Sequence, residues 1–160
     1  MTIKVGDRIP SATLMQMKDG APRPVKTDEL FSNKKVVLFA LPGAFTPTCS
    51  AKHLPGFVQH AAELKGKGVD AIACLSVNDA FVMGAWGQAQ QVGDKVMMLA
   101  DGNGEFTKAT GLEMDASKFG MGTRSQRYAM LIDDGEVKRL FVEEPGAFAV
   151  SSAEHMLKNL

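Results

Sequence analysis

The stretch Val36-Val37-Leu38-Phe39-Ala40-Leu41 constrains the fold more than any other part of the chain. The run is short, β-branched at one end, aromatic near the other, and stopped by Pro42-Gly43, which predicts a buried strand. A strand without polar alternation belongs in a sheet covered on both faces. A helical pattern begins after Cys49, with Leu54, Phe57, Val58, Ala61 and Leu64 on one face. Cys49 therefore falls at a strand-to-helix turn. Free backbone N–H groups and the positive end of a helix dipole there favour a thiolate over a thiol.

The rest of the chain supplies further strands and helices. Residues 10–17 and 22–26 flank Asp19-Gly20 as a small hairpin, and residues 28–32 form one turn of helix. Residues 69–77 and 95–100 are apolar strands. Between them lies a helix over 79–91, capped by Asn78 or Asp79. Asn103 to Thr110 is a short helix ended by Gly111. Lys118 to Thr123 is expected to be a flexible loop, and residues 127–133 and 136–142 form a hairpin about Asp134-Gly135. Ser151-x-x-Glu154 is a capping box for a C-terminal helix over 152–159. Pro55 interrupts the helix after Cys49, since it cannot donate to the Ala51 carbonyl, and a kink or a loosely joined first turn is expected there. Alternating strands and helices followed by a hairpin describe an α/β fold, a single domain over residues 1–160 with a central sheet flanked by helices.

Around Cys49 the sequence reads Pro42-Gly43-Ala44-Phe45-Thr46-Pro47-Thr48-Cys49-Ser50. Thr46 stands three residues before the cysteine, near enough for its hydroxyl to approach the sulfur in a tight turn. Pro47 stiffens that turn and Pro42 shields the loop from one side. A lone buried cysteine is more often a small hydrophobe than a reagent. Thr-Pro-x-Cys after a buried strand shifts the balance to a reactive thiol.

Composition removes several other classes. Lys+Arg and Asp+Glu balance at 18 each, which disfavours nucleic acid and anionic membrane as partners. No apolar run approaches the length of a membrane span, and Met1 to Asp7 has no signal-like character. Two cysteines suit a reducing compartment, so the cytoplasm is the expected location. His53, His60 and His155 lack metal-ligand spacing, and Gly102-x-Gly104 lacks the third glycine of a dinucleotide fingerprint, so no metal and no cofactor is expected.

The motif from Pro42 to Ser50, continued by Lys52-His53-Leu54-Pro55-Gly56-Phe57, resembles the peroxidatic site of the peroxiredoxins, closest to the type-5 or plant type-II branch. Val69 to Met83 and Arg127 to Asp133 resemble the same branch in the same order, so the resemblance spans nearly the whole chain. It implies a thioredoxin-like fold with a mixed sheet. It also implies a thiol-dependent reduction of hydrogen peroxide and organic hydroperoxides, with Cys49 becoming a sulfenic acid. Pro42, Thr46, Cys49 and Arg127 would form the site, because an arginine at the matching place, six residues before Asp133, points at the peroxidatic sulfur in that family. Arg124 is the rival for that place.

Cys74 lies inside an apolar strand, as a packing residue or as a resolving thiol. Members of the branch with a resolving cysteine near the C-terminus are not matched here, since Gly146 to Ser152 contains none. Glutathione, with or without glutaredoxin, is then the expected reductant, and thioredoxin acting through Cys74 the alternative. A thiol–disulfide oxidoreductase would require Cys-x-x-Cys, where this chain has Thr46 and Lys52 instead. A redox-sensing or holdase-like binding protein using Cys49 as a switch is the reading from a different class. A homodimer is expected from the resemblance and from Phe45, Phe81 and Trp86, placed in loops or at helix starts.

Overall fold

A computed structural model describes all 160 residues. Its strands are β1 (Thr13–Lys18), β2 (Ala21–Lys26), β3 (Lys35–Ala40), β4 (Ala71–Ser76), β5 (Met97–Ala100), β6 (Glu113–Asp115), β7 (Thr123–Ser125), β8 (Tyr128–Asp133) and β9 (Glu136–Val142). Its helices are α1 (Thr27–Leu30), α2 (Leu54–Gln59), α3 (Ala61–Gly66), α4 (Ala80–Ala89), α5 (Glu105–Thr110) and α6 (Ala153–Lys158). A π-helical turn over Cys49–His53 precedes α2, and a short 3₁₀ turn covers Ser117–Phe119.

Seven strands form one mixed sheet in the order β2-β1-β5-β4-β3-β8-β9. β3 pairs parallel with β4 and antiparallel with β8, and β4 pairs parallel with β5. The apolar run thus occupies an interior strand, and Val36 to Leu41 are fully buried. Period-two alternation divides its side chains between two cores. Val37, Phe39 and Leu41 pack with Leu54, Phe57, Leu64, Met83, Trp86 and Met156 on the face covered by α2, α3, α4 and α6. Val36, Leu38 and Ala40 pack on the other face with Phe31, Phe106, Tyr128 and Met130.

Both expected hairpins form. Asp19-Gly20 and Asp134-Gly135 carry positive φ at both central residues, the geometry that matches strand twist. Asp79 caps α4, its carboxylate accepting from Val82 N–H at 2.9 Å. No helix is long and apolar enough to cross a membrane.

One local expectation needs correction, and two take a more definite form. The C-terminal helix starts later, capped by Ser152, which accepts from His155 N–H at 3.1 Å. Ser151 instead donates its hydroxyl to Glu143 at 2.7 Å, so Ser151-x-x-Glu154 is not a capping box. The loop expected at Lys118–Thr123 is the connection between β6 and β7, entered through the 3₁₀ turn and ended by Thr123 at the start of β7; the sequence did not show that these two strands pair as a separate sheet. Strands of three residues leave too few positions for a periodic signal. Finally, the chain stays helical through Pro55, and the loosely joined first turn expected there takes the form of a π turn, in keeping with the N–H that Pro55 lacks. The irregularity lies before it, in the π turn, where Leu54 N–H bonds back to the Cys49 carbonyl. A second break, at His60, separates α2 from α3.

Candidate active site

The C-terminal end of β3 delivers the chain into the Pro42–Thr48 loop, and this loop leads into the π turn carrying Cys49. The Cys49 side chain is fully buried, in the core cluster beneath α2 and α4. Tyr128 pairs with Ala40, so β8 begins beside the end of β3 and Arg127 enters next to the turn. Arg127 Nη2 donates to Cys49 Sγ at 3.2 Å. A guanidinium at that distance can donate both to the sulfur and to an oxygen brought beside it. Between the two arginines the geometry is decisive. Arg124 lies on β7, its Nε donating to the Met121 carbonyl at 2.9 Å and its Nη1 to the Pro42 carbonyl at 3.3 Å. It is a half-buried brace of the loop. A Cβ at Gly43 would stand 2.8 Å from Arg124 Nη1, so the brace needs glycine there.

Thr46 donates its hydroxyl to the Gly43 carbonyl at 2.7 Å. That bond fixes the hydroxyl proton and leaves the oxygen lone pairs free to accept. Pro42, Thr46, Pro47 and Arg127 line a cleft of about 650 Å³ that also meets Met114, Phe119 and Met121. Phe45 adopts φ 64°, a left-handed conformation uncommon for a bulky residue, and remains 57% exposed. Its neighbour is anchored: Ala44 N–H donates to Asn78 Oδ1 at 2.9 Å, which ties the loop to the start of α4. Trp86 is fully buried core, and its indole N–H donates to Ser50 Oγ at 3.0 Å, next to Cys49.

His53, at the end of the π turn, faces Arg127. It is fully buried, with Arg127 Nη1 at 2.9 Å from Nδ1 and the Ser151 carbonyl at 2.9 Å from Nε2. Burial and then the Arg127 charge push its pKa from the ordinary 6.5 down to about 3. Glu143, 7% exposed, was not found from the sequence at all. Its Oε2 accepts from the N–H groups of Ala149, Val150 and Ser151, each at 2.8 Å. Burial pushes that carboxyl up, but the Ser151 hydroxyl and the three backbone donors outweigh it and hold the group below its ordinary range.

Cys74, on β4, is also fully buried, in the same core cluster as Cys49, and both thiols are free. Burial, and next the nearby Cys49, push the Cys74 thiol well above its ordinary pKa, against a smaller opposing pull from Arg127. Of the thiols in the molecule, only Cys49 has a cation in hydrogen-bond contact.

The Redoxin family profile matches residues 4–157. "Peroxiredoxin-2E-2, chloroplastic" of Oryza sativa is 59% identical, the alignment covering 99% of this chain and 73% of the relative. Reduced Prx3 of Vibrio vulnificus, solved in complex with hydrogen peroxide, is 56% identical with a TM-score of 0.95 over 99% of each chain. A Plasmodium falciparum antioxidant protein described as a 1-Cys peroxiredoxin is 31% identical with a TM-score of 0.90, over 99% of this chain and 100% of that one. These neighbours are thioredoxin-fold peroxiredoxins, and the mixed sheet flanked by helices is that fold. With the motif, the fold and relatives aligned along almost its full length in agreement, the chain belongs to the Redoxin family and, within it, to the peroxiredoxins of the plant type-II and type-5 kind.

Proposed function

We propose that this peroxiredoxin uses Cys49 as its peroxidatic thiolate and is recycled by glutathione, directly or through glutaredoxin. The observation that carries the assignment is the Arg127 guanidinium in hydrogen-bond contact with the Cys49 sulfur beside an open cleft. The thiolate attacks the distal oxygen of hydrogen peroxide or an organic hydroperoxide. An S–O bond forms as the O–O bond breaks, and the oxygen leaving with the pair of electrons takes a proton to become water or an alcohol. Arg127 donates to the oxygens as negative charge develops on the leaving one. Thr46, its proton already committed to Gly43, accepts the hydrogen of the attacked oxygen. Pro42 supplies a wall of the cleft without a competing N–H.

Cys49 sulfenic acid must then condense with a second thiol. Cys74 is a weak candidate, because the attacking species is the thiolate and its surroundings disfavour that form. Glutathione thiol would add to the sulfenic acid with loss of water, and a second thiol would release Cys49 and oxidised glutathione. The cytoplasm, as a reducing compartment, would supply that thiol. A homodimer is part of the same reading. Phe45 and Phe81 are 57% and 63% exposed, and the Asn78 bond holds their two segments together. An exposed aromatic pair of that kind suits an interface core.

The test is turnover of hydrogen peroxide and an alkyl hydroperoxide with purified protein, supplied in parallel with a complete glutathione–glutaredoxin system and a complete thioredoxin system. Faster turnover with the first supports the proposal. Turnover with thioredoxin alone, lost in Cys74→Ser, would establish the two-cysteine cycle. Oxidation of Cys49 without turnover in either would favour a redox switch.

A further inference from the structure

The contacts of His53 specify more than packing. Arg127 Nη1 can only donate and the Ser151 carbonyl can only accept. The ring must therefore be bare at Nδ1 and protonated at Nε2, a single neutral tautomer dictated by its two partners at 2.9 Å each. The Ser151 carbonyl is itself held, since Glu143 gathers the N–H groups of residues 149–151 and the Ser151 hydroxyl around one oxygen. Glu143 N–H donates to the Arg127 carbonyl at 2.9 Å. The chain of bonds thus closes on itself: Arg127 side chain, His53, Ser151, Glu143, Arg127 backbone.

We propose that His53 is a positioning residue for the peroxide step, accepting from Arg127 Nη1 so that Nη2 stays on the Cys49 sulfur, with Glu143 and Ser151 holding the imidazole in the accepting tautomer. An arginine with a long flexible stem and an open cleft beside it has other places to go. Fixing one terminal nitrogen leaves the other a single direction. The Phe39, Phe57 and Phe148 rings enclose the imidazole at centroid distances of 5.0, 5.7 and 5.1 Å, so no water competes for Nδ1 from those sides. Burial and the Arg127 charge oppose protonation of the ring, which keeps Nδ1 an acceptor across the physiological range.

This inference rests on Cys49 being the peroxidatic thiol, and its test separates the two claims. In His53→Asn, the amide oxygen falls near the position of Nδ1 and preserves the acceptor for Arg127. In His53→Gln, the amide nitrogen falls near Nε2, preserving the donor to Ser151 and losing the acceptor. Single-turnover oxidation of Cys49 by hydrogen peroxide is followed by the fluorescence of Trp86, the one tryptophan, bonded to Ser50 beside the site. The expected result is a second-order rate near wild type for Asn and roughly tenfold to a hundredfold lower for Gln, the cost of a misplaced charge-assisted donor. In an Arg127→Ala background, His53→Gln should add nothing further. Equal rates for Asn and Gln, or a full second loss in the Arg127→Ala background, would overturn the proposal. A second measurement needs no variant: nitrogen-15 shifts of the wild-type His53 ring near neutral pH should report protonation at Nε2 alone. An Nδ1–H tautomer or a doubly protonated ring refutes the geometry. Should wild-type Cys49 consume no peroxide, the peroxidatic assignment fails while the tautomer still decides the placement of His53.

Discussion

Acid should weaken this fold well before its carboxylates protonate, and His53 should be the cause. The folded protein holds the ring neutral down to about 3, whereas the unfolded chain takes up a proton near the ordinary 6.5. A depressed histidine pKa means that the unfolded state binds more protons between those values. Stability is therefore full above about pH 7 and falls as pH drops through 6.5. At about pH 5 the linkage amounts to 1.5 pH units at roughly 1.36 kcal/mol each, or about 2 kcal/mol. Glu143 does not blur this window. Its folded pKa is depressed, so its contribution is constant above the unfolded value of 4.5 and is lost only below it. The assay is urea denaturation of wild type and His53→Asn at several pH values between about 5 and 8. Wild-type stability should drop by about 2 kcal/mol more than that of the variant across this range. Parallel curves for the two proteins would show that His53 titrates freely in the folded state, and would refute the buried, Arg127-bound placement.

Cys49→Ser should abolish hydroperoxide consumption in a continuous peroxide assay, and retained turnover would exclude Cys49 as the peroxidatic thiol. Arg127→Ala should slow Cys49 oxidation roughly tenfold to a hundredfold. Arg124→Ala, which removes a brace to Pro42, should cost less, so equal rates for the two would contradict the geometric distinction. Cys74→Ser should retain turnover with glutathione and glutaredoxin. After one equivalent of peroxide without added thiol, the mass of the wild type should show a sulfenic or further-oxidised Cys49; loss of two hydrogens, absent in the variant, would make Cys74 the resolving residue. Light scattering at micromolar concentration should return twice the chain mass of 17.1 kDa, and Phe45→Asp with Phe81→Asp should shift it to the monomer.

What the sequence revealed and what it hid divide along the range of the interactions. The buried strand, both hairpin turns and the Asp79 cap are local devices, and each is written within a few consecutive residues. Cys49 was legible for the same reason, through the strand before it and the helical pattern after it. Arg127 could be separated from Arg124 only by family resemblance, because the pairing of Tyr128 with Ala40 that puts it beside Cys49 is a long-range register. His53 takes its partners from positions 74 and 98 residues away, so no spacing rule could name them. Glu143 reads as a surface acid at the end of a strand. Only the fold brings the 149–151 segment around it. The Ser151 signal misled because Ser151 and Ser152 are adjacent. Glu143 captured the first, leaving the cap to the second.

The same division explains how one site meets two opposed demands. Attack on a peroxide requires Cys49, Arg127 and Thr46 to be held still, yet a sulfur with no exposed surface cannot meet a second thiol. Arg127, Glu143 and Ser151 belong to the rigid half, joined through β8, β9 and the entry to α6, and His53 reaches them from the turn. Cys49 belongs to the other half, a five-residue π turn, a rare irregularity of helices that is frequent at functional sites. Opening of that turn would expose the sulfur while the loop anchored by Asn78 and the β8 strand that follows Arg127 keep their own hydrogen bonds. It would also remove His53 from Arg127, since the imidazole sits at the end of the same turn. Release of the sulfenic acid and loss of the peroxide-binding arrangement are then one event. Amide hydrogen exchange checks this. Residues 50–54 should exchange faster than α3 and α4 once Cys49 is oxidised, and β8 should stay protected. Protection that falls uniformly across the site would show that the two halves do not separate.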